Sequence, residues 1–490
     1  MTGAAPDPEG AGTEQWQRLD PRMLVVHPVQ ELVRFLPVLI GAFVAGRATG
    51  AGIWQVLGVV VPVALGVLRY LTTRYRLTAD RVELRTGLLQ RRLLSTRVDR
   101  VRTVDLTASP THRLLGLTTM RIGTGSTDED GFDLDGLPVA AARRLREQLL
   151  GGVPADPAPA AEDSPVALRL DPRWVRYAPL TSTGLVAAAA ALGVGAQVLD
   201  SLGAWRVLDV EGRPASLPAL GLAAAGALVV AAAVSALAVV GYLAANWDLR
   251  LSHRGRSWHL RRGALTTRET TLDDDRVAGV TLAEPVGLRL AGAATVQAIV
   301  TGLDREERGS STLVPPAPYA VAAGVAAAVL GSHRPLTDPL RPHGPAAVRR
   351  RWVRALGPAA GVAATTAALV LLAGTSPWLL GAGALALGVA PLLARDRAAS
   401  LGHALTDRHL VARSGSVVRR REVLQTDAVI GWVLRETWTQ RRAGLVTLRA
   451  TTAGGDQAVE VPDLPGPEAV ALASAATPGL VTQFRIVGPP

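Results

Sequence analysis

Long apolar runs alternate with mixed, strand-like stretches three times along this chain. Leu32 to about Ala48 and Ile53 to Leu71 are largely apolar, with Arg34, Arg47 and Arg69 near their ends and a turn at Gly46–Gly52 between them. Pro179–Leu199 and Leu217–Ala245 form a second apolar pair across the polar stretch Asp200–Ser216. A third pair, Val353–Ala373 and Trp378–Ala394, is separated by Gly374–Pro377. Runs of about 20 apolar residues predict membrane-spanning helices, so the pattern predicts three helical hairpins. A hairpin returns the chain to its starting side, which places the intervening modules on one face. The outer turns hold only Arg47, Arg206 and Arg213, so the positive-inside rule predicts a cytoplasmic location for the modules and both termini in the plasma membrane.

The stretches after each apolar pair read as small α+β modules. Val82 and Leu84 alternate with charged residues, Leu117–Thr124 alternates again, and Leu137-Pro138 opens a helix-spaced run to Leu150. Val314-Pro315 and Leu464-Pro465 open matching helices later in the chain. One ruler joins the three copies: Gly87 and Gly116, Gly263 and Gly292, and Gly415 and Gly444 are each 29 residues apart. Self-similarity at fixed spacing is the mark of a repeated structural unit. The predicted order is a flexible tail (1–31), hairpin (32–71), module (72–150), linker (151–177), hairpin (178–245), module (246–331), basic linker (332–352), hairpin (353–394), module (395–477) and C-terminal tail (478–490).

Composition supports a membrane protein. Of 490 residues, 48% are hydrophobic but only 4% aromatic, and the mean hydropathy is +0.24. All 52 basic residues are arginine, the composition of a genome rich in G and C, and the net charge is +11. Such a charge suits an anionic membrane surface or nucleic acid; the apolar runs favour the membrane and no nucleic-acid partner is expected. There are no cysteines, which excludes disulfides, thiolate metal sites and cysteine nucleophiles.

Leu77-Thr78 with Asp80-Arg81, then Gly87 and Arg113–Met120, match Leu405–Arg408, Gly415 and Arg441–Leu448. The central copy keeps the ruler but a degenerate opening, Leu251-Ser252-His253-Arg254. These residues resemble the bacterial pleckstrin-homology-like (PH-like) membrane proteins of the YdbT type. The resemblance implies three PH-like split β-barrels, each capped by a C-terminal helix and preceded by a membrane hairpin. It also implies an envelope role with no established enzymatic activity, often beside a smaller one-module relative and linked to antimicrobial tolerance.

Candidate chemistry is sparse. No histidine pair has metal-ligand spacing, and Asp273-Asp274-Asp275 reads as a solvated turn. Asp128, Asp130, Asp133 and Asp135 read as a charged hairpin tip, and Ser109 near His112 lacks a visible orienting acid. His403 and His409 read as solvated strand residues, and Trp258, Trp432 and Trp438 as core. No catalytic residue, cofactor or metal is expected. Arg91, Arg92, Arg261, Arg262, Arg419, Arg420 and Arg421 flank the earlier glycines, and Arg349, Arg350 and Arg351 precede a membrane helix. They are the candidate contacts to anionic phospholipid or a partner; strand alternation allows each adjacent pair one outward charge. The expected function is a non-enzymatic membrane scaffold whose modules bind each other, in a homo-oligomer, or a smaller PH-like membrane protein. Binding of anionic lipid is the alternative, and transport a more distant one.

Overall fold

The computed structural model describes residues 16–35, 53–78, 80–87, 92–98, 103–123, 132–149, 166–181, 193, 217–301, 311–406 and 408–481. The chain opens with β1 (Gln17–Arg18), α1 (Met23–Arg34) and α2 (Ile53–Thr72). The first mixed segment follows: β2 (Arg74–Leu77), β3 (Arg81–Thr86), β4 (Arg92–Arg97), β5 (Thr103–Ala108), α3 (Pro110–Leu115), β6 (Leu117–Gly123), β7 (Phe132–Pro138) and α4 (Val139–Leu149). After β8 (Val166–Arg169), a 3₁₀ helix (Pro172–Leu180) and α5 (Leu217–Asn246), the order recurs. It gives β9 (Arg250–Arg254), β10 (Ser257–Arg262), β11 (Thr267–Asp273), β12 (Val277–Pro285), α6 (Val286–Leu290), β13 (Ala293–Val300), β14 (Thr312–Pro318) and α7 (Tyr319–Leu330). Then come α8 (Arg334–Thr337), α9 (Gly344–Ala373) and α10 (Leu379–Ser400). The third mixed segment holds β15 (Gly402–Leu405), β16 (His409–Gly415), β17 (Val418–Gln425), β18 (Gly431–Arg435), α11 (Trp438–Arg442), β19 (Leu445–Thr451), β20 (Ala458–Pro465) and α12 (Gly466–Ala476).

All six ruler glycines have left-handed backbone, in two matched classes. Gly87, Gly263 and Gly415 have φ of 97°, 112° and 105°; Gly116, Gly292 and Gly444 have 69°, 65° and 64°. The earlier class closes a strand turn so tight that a Cβ on Gly263 would lie 2.0 Å from the Thr266 carbonyl oxygen. The later class ends a short helix and starts the next strand, the αL stop that glycine supplies without strain. Those short helices, α3, α6 and α11, were not foreseen. The starts of α3 and α11 are written in Ser109-Pro110 and in the capping box of Thr437 and Gln440.

The chain packs as two compact units, and the boundary falls inside the middle segment. The first unit holds the described residues up to Val166 together with Asp248–Leu272. In it, β1-β2-β3-β4 form one antiparallel sheet, and β7-β6-β5-β11-β10-β9 run on as another. The core lies between β3, β5, β6, β7 and α4: Val82, Leu84, Val104, Leu106, Met120, Ile122, Leu134, Ala142 and Leu145 are buried together. The second unit holds Ala167–Trp247, Asp273–Thr301 and the described residues from Ser311 on. Its sheets are β14-β13-β12-β17-β16-β15 and β18-β19-β20. Leu410, Leu424, Leu448, Val461 and Leu464 form its main core under α12, through Ala469, Leu472 and Ala473.

In both units the sheet passes from one segment into the next. β5 pairs with β11, and β12 pairs with β17 along Gly279–Pro285. Edge-to-edge pairing satisfies backbone groups that an exposed strand would leave to solvent or to a foreign strand.

The expected flexible tail is ordered in part. Leu19, Met23 and Val26 are buried against Tyr70 and Leu117, so the first turns of α1 form a small core with the first mixed segment. Burying these three apolar side chains offsets the ordering cost that a polar tail could not. Gly66 of α2 lies so near Pro28 of α1 that a Cβ there would meet the Pro28 nitrogen at 2.6 Å.

Among the described residues, three helices are long and apolar enough to cross a membrane: Leu228–Asn246, Gly344–Ala373 and Leu379–Ser400. Their apolar surface is uncovered, with Leu228, Leu237, Leu371, Leu372, Leu385 and Leu392 all exposed. Apolar patches of this kind mark association with lipid or partners. α9 and α10 pack closely where Gly383 meets Thr366 and Ala363. α9 begins at Gly344, inside the expected basic linker. Most of the first helix expected in each of hairpins one and two, 36–48 and 182–199, lies outside the described residues apart from 193; residues 172–180 form the 3₁₀ helix instead of the start of a span.

Candidate functional site

A two-residue bulge interrupts the last strand pair of each segment. It lies opposite Thr119, Thr295 and Thr447 and holds Asp135-Gly136, Pro315-Pro316 and Pro462-Asp463 respectively. In the first and third segments the bulge carries one carboxylate, which ties a preceding helix, α1 or α9, to the sheet.

Asp135 is therefore not at a hairpin tip. Its Oδ1 accepts from Thr119 Oγ1 at 2.6 Å and pairs with His112 Nε2 at 2.9 Å, while Oδ2 lies 3.3 Å from His27 Nε2 on α1. Burial alone would raise the Asp135 pKa; the contacts from His112, His27 and Thr119 outweigh it and hold the carboxyl well below its usual range. Met23 packs on the same bulge, where a Cβ on Gly136 would meet its Cγ at 2.2 Å. Asp128 and Asp130 lie outside the described residues, and Asp133 pairs with Arg121 at the surface.

Asp463 plays the matching part in the third segment. Its Oδ1 accepts from Arg350 Nη1 at 2.6 Å and from Gln440 Nε2 at 2.9 Å, and Arg351 Nη2 lies 2.7 Å from Oδ2. Both arginines come from α9, and the Asp463 side chain is 0% exposed. Asp463 has φ 60°, in the left-handed region that Asp tolerates better than most residues. The middle segment has no such carboxylate: Pro315 and Pro316 fill the bulge, and Tyr242 of α5 donates to the Pro316 carbonyl at 3.1 Å.

Ser109 Oγ lies 2.5 Å from His112 Nδ1, which completes a Ser–His–Asp line with Asp135. That acid lies 23 residues further along the chain than His112. Ser109 also accepts from the His112 backbone N–H as the cap of α3, and His112 is 1% exposed. In the third segment Thr437 and Gln440 take the same places, and glutamine cannot accept a nucleophile's proton. The shared element is a helix cap joined to a buried carboxylate, which accounts for the line by position and packing. Its readable trace is the acid just before Leu-Pro, in Asp135-Gly136-Leu137-Pro138 and Asp463-Leu464-Pro465.

The candidate arginines divide by environment. Arg350 and Arg351 turn inward to Asp463, and Arg421 is buried, donating to the Leu336 and Asp338 carbonyls. Arg419 pairs with Asp396 of α10 at 2.9 Å, and Arg289 reaches the same carboxylate at 3.0 Å. Burial pushes the Arg262 guanidinium down to about 10, with the Arg268 charge adding to it and Asp105 opposing it. Arg261, Arg349 and Arg420 face outward. Arg91 lies outside the described residues, and Arg92 lies in β4. The two sheet joints carry a further arginine that was not singled out as a contact. Arg113 donates to the Ala264 carbonyl beside the β5–β11 joint, and Arg289 Nη1 to the Ser416 carbonyl beside the β12–β17 joint.

Two other expectations are corrected. His403 and His409 are buried, not solvated, and burial together with the His343 and Arg341 charges pushes His403 down to about 4. Trp258 is core and Trp432 is half-buried, donating to Thr477 Oγ1, but Trp438 is 66% exposed with Arg442 over its ring.

A cavity of about 470 Å³ beside the β12–β17 joint is lined by Thr281, Gln297, Arg420, Glu422, Thr452 and Asp456, among others. Burial pushes Glu422 up to about 7; Asp456 and Glu460 add to the rise and Arg420 opposes it. The raised value means the neutral acid fits the fold. That stability is full below the ordinary pKa of 4.5 and is lost as pH climbs through about 7. Glu422→Gln is expected to remove this loss, so thermal melts of variant and parent should agree near pH 5. Near pH 8 they should differ by on the order of 1–3 kcal/mol in favour of the variant; parallel melts at both pH values would refute it.

The bacterial PH domain family profile matches this chain twice. The matches cover residues 32–153 and 359–477. No curated protein and no solved structure matches the chain. The two PH-domain matches contain Asp135 and Asp463 and their partners Thr119, His112 and Gln440; the unmatched middle segment is the one whose bulge holds two prolines.

Proposed function

We propose that this chain is a non-enzymatic integral membrane scaffold built from three PH-like segments, the middle one diverged. The segments and both termini face the cytoplasm, and their work is to bind one another and further copies, or a smaller PH-like membrane protein, in maintaining the envelope. The observation that carries this reading is the sheet joint, used twice: strand edges here serve as protein-binding surfaces. The buried carboxylates of the first and third segments support it, because each ties its barrel to a preceding helix, α1 or α9, instead of opening toward a substrate. Purified full-length protein in lipid nanodiscs is expected to show discrete oligomers by mass photometry, or to retain a membrane partner in a pull-down from cells. Monomers with no partner retained would remove the proposal.

Exposed Arg261, Arg349 and Arg420 favour a second reading, attraction to anionic lipid. Full-length protein in detergent should then bind anionic-lipid nanodiscs over neutral ones, and the preference should fade as salt screens it. A preference blind to both lipid charge and salt would eliminate this reading.

A further inference from the structure

The two internal joints obey one rule. Counted from the paired glycines, the residue nine before the later glycine faces the residue five after the earlier glycine of the next segment. Thr107 faces Arg268, and Ala283 faces Arg420. In both joints the arginine three before the later glycine reaches the carbonyl just after the next segment's earlier glycine. The third segment repeats the donor half of this rule with its outer edge uncovered.

β18 is the end strand of its sheet among the described residues. Along it and α11, Leu434 is 50% exposed, Trp438 66% and the Arg441 side chain 73%, where Arg441 meets Glu436 at 3.5 Å. Leu282 and Leu106, at the place of Leu434 in the other two segments, are buried. Arg441 stands where Arg113 and Arg289 stand, three residues before the later glycine. Gly431 keeps the place of Gly279, whose missing side chain lets β17 approach β12. At the other end of the chain β4 is, among the described residues, the end strand of the first sheet, and Leu93 on it is 60% exposed. An aromatic and an arginine beside an apolar edge are the usual anchors of a protein interface.

We propose that β18 and α11 of one copy receive β4 of a second copy in the register of the internal joints, so that copies join head to tail. This deepens the scaffold reading and rests on it. The register sets Leu434 against Leu93 and Val433 against Leu94. It also sets an arginine position against an arginine position, 435 and 92. Head-to-tail contacts of this kind close into rings or extend as filaments.

The chain has no cysteine, so introduced ones report cleanly. Full-length Leu434→Cys and full-length Leu93→Cys, separately tagged and co-expressed, are expected to form a disulfide-linked dimer containing one of each under mild oxidation. Facing strand positions are close enough for that bond. Each variant alone should stay uncrosslinked, and moving the second cysteine to Ser95 should sharply lower the yield. Arg441→Ala should weaken the dimer roughly tenfold without changing the melting temperature. Equal crosslinking at Ser95, or capture of a different membrane protein in place of a second copy, would overturn the proposal. Copies that associate by mass but never crosslink at these positions would overturn this joint and leave the scaffold reading standing. Protein that is monomeric and retains no partner removes both.

Discussion

Asp463→Asn is expected to cost about 3–5 kcal/mol, the scale of breaking a buried ion pair by removing one partner. Asparagine keeps the shape, tolerates the left-handed backbone at φ 60° and can still accept from Gln440. What it removes is the charge that holds Arg350 and Arg351 of α9. Two guanidiniums would then be left in a site where Asp463 is 0% exposed. In detergent the apparent melting temperature should fall by on the order of 10 °C. Adding Arg350→Leu and Arg351→Leu should recover much of the loss, since a buried ion cluster replaced by apolar side chains is often neutral in stability. If Asp463→Asn melts with the parent, the carboxylate is not the tie between α9 and the third mixed segment.

Gly279→Ala is expected to be nearly as damaging, for a steric reason. A Cβ at Gly279 would lie 1.9 Å from the Val423 carbonyl oxygen and 2.9 Å from its carbon. The obstacle is backbone in the middle of a sheet, which cannot turn aside as a side chain can. We expect a loss of about 3 kcal/mol, at the upper end of overpacking costs, with lower yield of folded protein. Gly431→Ala is the control. Its nearest neighbour would be Thr451 Oγ1 at 3.3 Å, so the single chain should lose under about 1 kcal/mol. Equal damage from the two substitutions, measured by thermal melting, would mean that the β12–β17 joint is not what Gly279 protects.

The sequence carried the parts of this fold that depend on local chemistry. Left-handed backbone selects glycine, so the pairing of Gly87, Gly263 and Gly415 with Gly116, Gly292 and Gly444 is legible in the sequence alone. Apolar length revealed α5, α9 and α10. The carboxylate ties were hidden because their partners are remote: His27 and Asp135 are 108 residues apart, and Arg350 and Asp463 are 113 apart. The sheet joints were hidden for another reason. Their strand contacts are backbone hydrogen bonds, and a sheet edge accepts a neighbour without imposing a side-chain pattern beyond alternation. Arg350 and Arg351 drew attention as basic residues beside a membrane helix, a prior that ignores inward-facing partners. The ordered start of the chain was missed because three apolar residues, Leu19, Met23 and Val26, do not stand out in a polar, proline-containing stretch.

The shared joint also gives the array a direction and leaves its length open. The middle segment offers one kind of edge forward and the other kind backward, and the first and third segments each use the complementary one. Removing the middle one, with its preceding helices, would bring the edge used by β5 to face the edge used by β17, a pairing of the same two types. Duplication or loss of a whole unit would then require no new interface. The same property argues against dividing the protein at segment borders for expression, since a cut there strips two raw strands. Shortened forms should keep β4 and β18 as the outer edges, since among the described residues these strands already end their sheets.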